Sequence, residues 1–110
     1  MGTIITAICK EECGFKKENI YYGAGKLTFK TECNVPAMNM ETGEFLEENY
    51  FDKGNLPEHI VFYNSPEMYD GEIVKYRWLE WGNVYLKPDK NLCPNCRNFS
   101  MMFWMTGCFD

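Results

Sequence analysis

Cys93-Pro94-Asn95-Cys96 sets two thiols on either side of one tight turn near the C-terminal end of the sequence. A second pair stands near the other end, in Cys9-Lys10-Glu11-Glu12-Cys13-Gly14. Two to four residues between cysteines is the spacing that turns two sulfurs toward a common point, and two such pairs complete the tetrahedron that zinc prefers. The sequence therefore predicts one structural zinc held by Cys9, Cys13, Cys93 and Cys96. The residues between the pairs become a closed loop with a β-rich insert over about 15–92. A covalent link closing a loop of about 80 residues is worth about 4.5 kcal/mol in the chain-entropy model. A structural zinc site contributes on the order of 10–16 kcal/mol of apparent binding energy at neutral pH. Either figure rivals the whole stability of a small domain.

The 110 residues are enough for one modest core, so residues 1–110 are expected to form a single domain. Aromatic content is high, with 3 Trp, 7 Tyr and 8 Phe, and large rings suit a compact β core. The formal net charge of −5 argues against tight duplex nucleic-acid binding, which calls for a basic stripe. No basic leader with a cleavage site precedes the first apolar run, and no apolar run reaches the roughly 18–20 residues that span a membrane. The expected location is thus the cytoplasm, without membrane association. There, six cysteines read as metal ligands before they read as disulfides; a secreted disulfide scaffold is the alternative.

The β-branched run Thr3 to Ile8 is a predicted strand that leads straight into the first cysteine turn. Phe15 to Tyr22 is the predicted return strand, with Lys16, Lys17 and Glu18 on its wet side. Gly23-Ala24-Gly25 marks a turn or a close approach, and Leu27 to Glu32 alternates as a half-buried strand should. Pro36 is expected to end that region, with a loop over Met38 to Gly43. Further strands are expected over Glu44 to Phe51 and His59 to Tyr63, with a loop over Asp52 to Pro57 between them and a helical turn opening at Ser65-Pro66. Glu72 to Trp81 and Val84 to Lys87 flank Gly82-Asn83, a hairpin signal; a helix over Glu72 to Trp81 competes with it. Phe99 to Met105 is the predicted last strand, long enough to pair with the N-terminal ones and ended by Gly107. The fold class is mostly β: an antiparallel sheet domain closed by a four-cysteine site.

Cys9…Cys13-Gly14 and Cys93-Pro94-Asn95-Cys96 resemble the two knuckles of the zinc-ribbon (rubredoxin-knuckle) group, in particular small bacterial proteins with a long insert between the knuckles. The first pair is spaced by three residues where two is commoner, and Arg97 follows Cys96 where such knuckles usually carry glycine. The resemblance covers the two ends of the chain and implies structural ligation by these four cysteines alone. Iron suits the same sulfurs.

Cys33 and Cys108 read as small buried hydrophobes, with Cys33 a substitute ligand or a Cys33–Cys108 disulfide as alternatives. His59 reads as the start of a strand rather than a ligand. Trp78, Trp81, Trp104, Tyr76 and Tyr85 read mainly as core and sheet-face packing, with an exposed strip for a protein partner as the functional alternative. Met101, Met102 and Met105 read as core filler, and the acids Glu11, Glu12, Glu41, Glu44, Glu47 and Glu48 as a solvated surface. No residue pattern marks a catalytic base. The expected function is a non-enzymatic, zinc-stabilised protein-interaction module. The alternatives are a nucleic-acid-binding ribbon, or a thiol redox or metal-handling protein using Cys93 and Cys96; the latter lacks the βαβ context of such sites.

Overall fold

A computed structural model of the chain describes residues 2–11, 13–25, 30–72, 79–82 and 84–109. Among these residues the architecture is mostly β, in three antiparallel sheets. The first sheet has the order β2-β1-β9-β8, from Lys16–Tyr22, Gly2–Cys9, Phe99–Phe109 and Asn91–Leu92. The second has the order β4-β3-β5, from Phe45–Asn49, Asn34–Asn39 and Ile60–Phe62. The third is the small hairpin β6-β7, from Glu80–Trp81 and Val84–Tyr85.

The first sheet explains why distant parts of the sequence meet. β1 pairs with β9 along its whole length, from Gly2 opposite Phe109 to Cys9 opposite Met101. Side chains alternate between faces, so Ile5 and Ala7 of β1, Met101 and Phe103 of β9, and Ile20 and Tyr22 of β2 are all buried. Tyr63 bridges the sheets. Its ring meets Phe103 edge-on at 5.5 Å, and its hydroxyl donates to the Leu92 carbonyl at 2.8 Å. The Tyr22 hydroxyl likewise donates to the carbonyl of Val84 at 2.8 Å, tying the hairpin to the first sheet.

The predicted strands at Thr3–Ile8, Phe15–Tyr22, Glu44–Phe51 and His59–Tyr63 are present, slightly trimmed or extended. The helical turn after Ser65 is present as Pro66–Met68, in 3-10 form. Trp81 pairs with Val84, as a two-residue hairpin loop at Gly82-Asn83 requires. Residues 27–29 of the predicted strand over 27–32 and the segment 73–78, including Tyr76 and Trp78, lie outside the described residues; the described Lys30, Thr31 and Glu32 form no strand, Lys30 and Thr31 lying in a turn.

Three further expectations are corrected. Pro36 does not end a strand; it lies inside β3, the central strand of its sheet, and Met38 and Asn39 belong to that strand rather than to a loop. Backbone parity explains the tolerance. Asn39 donates to Glu44 and Cys33 accepts from Tyr50, so odd-numbered residues of β3 face β4. Pro36 faces the other way, where its carbonyl accepts from Tyr63 just past the end of the short β5. The missing N–H therefore removes nothing from the β3–β4 ladder. Gly107 does not end β9, which continues to Phe109 past an irregularity where Ile4 pairs with Gly107 but Ile5 with Met105. Finally, the expected loop after β4 contains a 3-10 helix, Tyr50–Asn55, started by the Asn49 carbonyl side chain accepting from Phe51 N–H.

Candidate metal centre

Each cysteine pair sits where a strand of the first sheet enters or leaves a turn. Cys9 ends β1 and Cys13 closes the turn that leads to β2. Cys93 follows β8, and Cys96 precedes β9 by three residues. Because β1 and β9 are neighbours, the two turns face each other, and Asn95 Nδ2 donates across the gap to the Cys13 carbonyl at 3.3 Å.

The two turns are built alike. The residue after each second cysteine is left-handed: Gly14 at φ 76° and Arg97 at φ 62°. Arginine thus adopts the conformation that glycine supplies in the first turn. Cys9 N–H donates to the Phe15 carbonyl at 3.0 Å, and Cys93 N–H to the Asn98 carbonyl at 2.9 Å, closing each turn in the same way. Each sulfur also accepts from the backbone two residues on: Cys9 from Glu11, Cys13 from Phe15, Cys93 from Asn95 and Cys96 from Asn98. Such donors stabilise thiolate charge, which is what a metal ligand must carry.

The four Sγ atoms lie within 4.8 Å of one another. Cys9 to Cys96 and Cys13 to Cys93 both measure 3.7 Å. A tetrahedron with zinc–sulfur bonds of about 2.3 Å has edges of roughly 3.8 Å, whereas a disulfide brings sulfurs to about 2.05 Å. All four thiols are free. The donor set therefore fits one thiophilic ion such as zinc or iron, and these four residues can hold it.

Proton sharing within the cluster is uneven. Burial is the main force raising Cys9 and pushing Cys93 up to about 12. The N–H of Phe15 is the main force lowering Cys13, and that of Asn98 the main force lowering Cys96, to about 6. Burial thus opposes ionisation at the first sulfur of each pair, and backbone N–H donors favour it at the second. A divalent ion would offset half of the charge of four thiolates, leaving the N–H donors to stabilise the rest.

Cys33 lies apart from the cluster. It is fully buried, and burial raises its thiol to about 11, as a small hydrophobe's should be. Cys108, expected to be buried, is exposed near the end of β9, and no disulfide joins it to Cys33. His59 also lies apart, with Nδ1 3.8 Å from a Glu41 carboxylate oxygen. Trp104 and Met105, read as packing residues, are 57% and 45% exposed; Trp104 alternates with Phe103 and so points away from the core. Glu47, read as solvated, instead accepts from Tyr21 N–H and from Asn34 Nδ2, clamping the first two sheets. The sequence reading missed Ser100, whose hydroxyl lies 3.1 Å from Cys9 Sγ and 3.6 Å from Cys96 Sγ. Its position four residues after Cys96, at the start of the last predicted strand, was the available signal.

No protein-family model matches the chain, and no curated protein or solved structure matches it.

Proposed function

We propose that Cys9, Cys13, Cys93 and Cys96 bind one structural zinc ion, and that the unit so closed is a non-enzymatic module for a protein partner. The observation that carries the metal reading is the set of four free thiols at near-tetrahedral separation, on two turns that aim N–H groups at sulfur. Four protein sulfurs fill a tetrahedral zinc site and leave no position for a reacting water, which favours a structural ion over a catalytic one. On this reading residues 1–110 act as one domain, with the insert over about 15–92 folded between the two knuckles, in the cytoplasm. No described helix is long and apolar enough to cross a membrane.

Support for a protein partner comes from the outer side of the first sheet. Trp104 and Tyr21 are about half exposed there, with half-buried Ile4, Ile8 and Met102 on the same face. Exposed aromatic and Met side chains are enriched at protein interfaces, and the net charge of −5 favours protein over nucleic acid. Native mass spectrometry with elemental analysis tests the metal: one zinc per chain is expected, and Cys93→Ser should lose it. Full zinc content in that variant would remove the proposal; iron in place of zinc would correct the metal and keep the site.

A further inference from the structure

We propose that the cleft between the Tyr50–Asn55 helix and the β6–β7 hairpin binds a planar aromatic molecule carrying one anionic group, such as an aromatic carboxylate. The cleft has a volume of about 440 Å³, within the range of about 300–1,000 Å³ usual for small-molecule sites. Its lining includes Tyr50, Phe51 and Lys53 from the helix, Trp81 and Val84 from the hairpin, and Cys33.

The side chains divide the work. Tyr50, Phe51 and Trp81 offer three ring systems from two separate elements, the arrangement that grips a flat apolar body. Phe51 is 53% exposed, so its ring is accessible from the cleft. Cys33 is fully buried and Val84 nearly so, which makes the base of the cleft apolar. The base holds no reactive group, because burial keeps the Cys33 thiol protonated.

One end of the cleft is cationic. Lys53 Nζ stands 4.4 Å from the Tyr50 ring centroid and donates to the Tyr50 hydroxyl at 3.3 Å. Lys16 and Lys87 each pair with a carboxylate, but among the described residues Lys53 has none within ion-pair distance. The Tyr50 hydroxyl also accepts from Asn64 Nδ2 at 3.3 Å. Its oxygen thus receives two hydrogen bonds while its own hydrogen remains to be given. The ammonium and this O–H together present two donors to a single anionic group, which a carboxylate accepts with its two oxygens. A neutral aromatic would leave that end unmatched, and an aliphatic acid would leave the rings unmatched. The site is separate from the cysteine cluster, so the proposal stands whichever metal the four sulfurs hold.

The test titrates the full-length, metal-replete protein with indole-3-carboxylate, indole and cyclohexanecarboxylate, followed by amide NMR and calorimetry. Indole-3-carboxylate should bind saturably and shift resonances of residues 50–53 and 81–84. The other two probes should bind at least tenfold more weakly. Lys53→Met should reduce the carboxylate's affinity to that of indole, and Phe51→Ala should weaken all aromatic probes. Both changes are at exposed positions, and an unchanged amide spectrum elsewhere confirms that each variant folds. Trp104→Ala, on another sheet, should leave binding intact. Three outcomes each overturn the proposal: no saturable binding of indole-3-carboxylate, equal affinity for all three probes, or full affinity in Lys53→Met.

Discussion

At the scale of single residues, the two positions that follow Cys13 and Cys96 decide whether the turns can aim their N–H groups inward. Gly14 has open space around the position of a side chain, so substitution meets only the backbone penalty of its φ of 76°. Gly14→Ala should cost about 1–2 kcal/mol, read as a lower denaturation midpoint at unchanged slope. Arg97 bears that penalty in the second turn, and its guanidinium lies against Gly43, itself left-handed at φ 79°. A second residue-level prediction concerns Lys87, which is buried and donates to the Asp89 carboxylate at 3.0 Å. That hydrogen bond holds the Asp89 carboxyl below its usual range. A depressed carboxyl stabilises the fold fully above its ordinary pKa and loses that effect as pH falls through the lowered value. Asp89→Asn, which leaves Lys87 a neutral amide oxygen and the Asp89 backbone carbonyl in place of a carboxylate, should therefore cost about 1 kcal/mol at pH 7, and the gap to wild type should narrow as pH falls below about 4. Thermal melts of both proteins from pH 7 to pH 3 check this. The grouping of Cys9, Cys13, Cys93 and Cys96 was legible because metal chemistry imposes a spacing on sequence. Ser100 and Asn95 were not, since a hydroxyl or amide that reaches a sulfur from across a turn leaves no local pattern.

Among the elements, β3 shows where local rules mislead. Proline reads as a strand breaker because it lacks a donor, but the loss matters only on the side where a donor is needed. Pro36 faces the end of β5, and Ala37 faces β4. Ala37→Pro should thus cost about 2 kcal/mol or more through a broken ladder bond and an unsatisfied buried carbonyl, while Pro36→Ala should change stability by less than about 1 kcal/mol. Chemical denaturation of the two variants separates them; equal losses would refute the parity argument. β-branched runs such as Thr3-Ile4-Ile5 were legible as strands because nothing in their surroundings opposed the preference. The exposure of Trp104 and Cys108 was not, because an apolar residue that faces outward has the same local pattern as one that faces inward.

For the whole molecule, removing the proposed metal ion should act far from the sulfurs. Phe15, next to the first turn, leads through Phe45 to Tyr63 and then to Phe103, with ring centroids 5.9, 5.6 and 5.5 Å apart. Chelation or Cys93→Ser should lower the melting temperature and loosen the second sheet as well as the first, seen as faster amide exchange in β3 and β5. Cys108→Ser should leave metal content and melting unchanged, whereas Cys33→Ser should keep the metal but lose about 1–3 kcal/mol by burying a hydroxyl. That the two cysteine pairs meet was legible from their chemistry, and the length of the last strand already suited it to pair with the N-terminal ones; the register, and the extension of that pairing to Phe109 past Gly107, were not legible. This pairing also sets a timetable. On the ribosome, Cys9 and Cys13 emerge long before Cys93 and Cys96, so the nascent chain carries half of the cysteine cluster, and a β1 that has β2 on one side but nothing on its β9 side, until synthesis has passed residue 109. Capture of the proposed ion and closure of β1 against β9 then await the same stretch of chain, and a chain stalled within the insert could do neither.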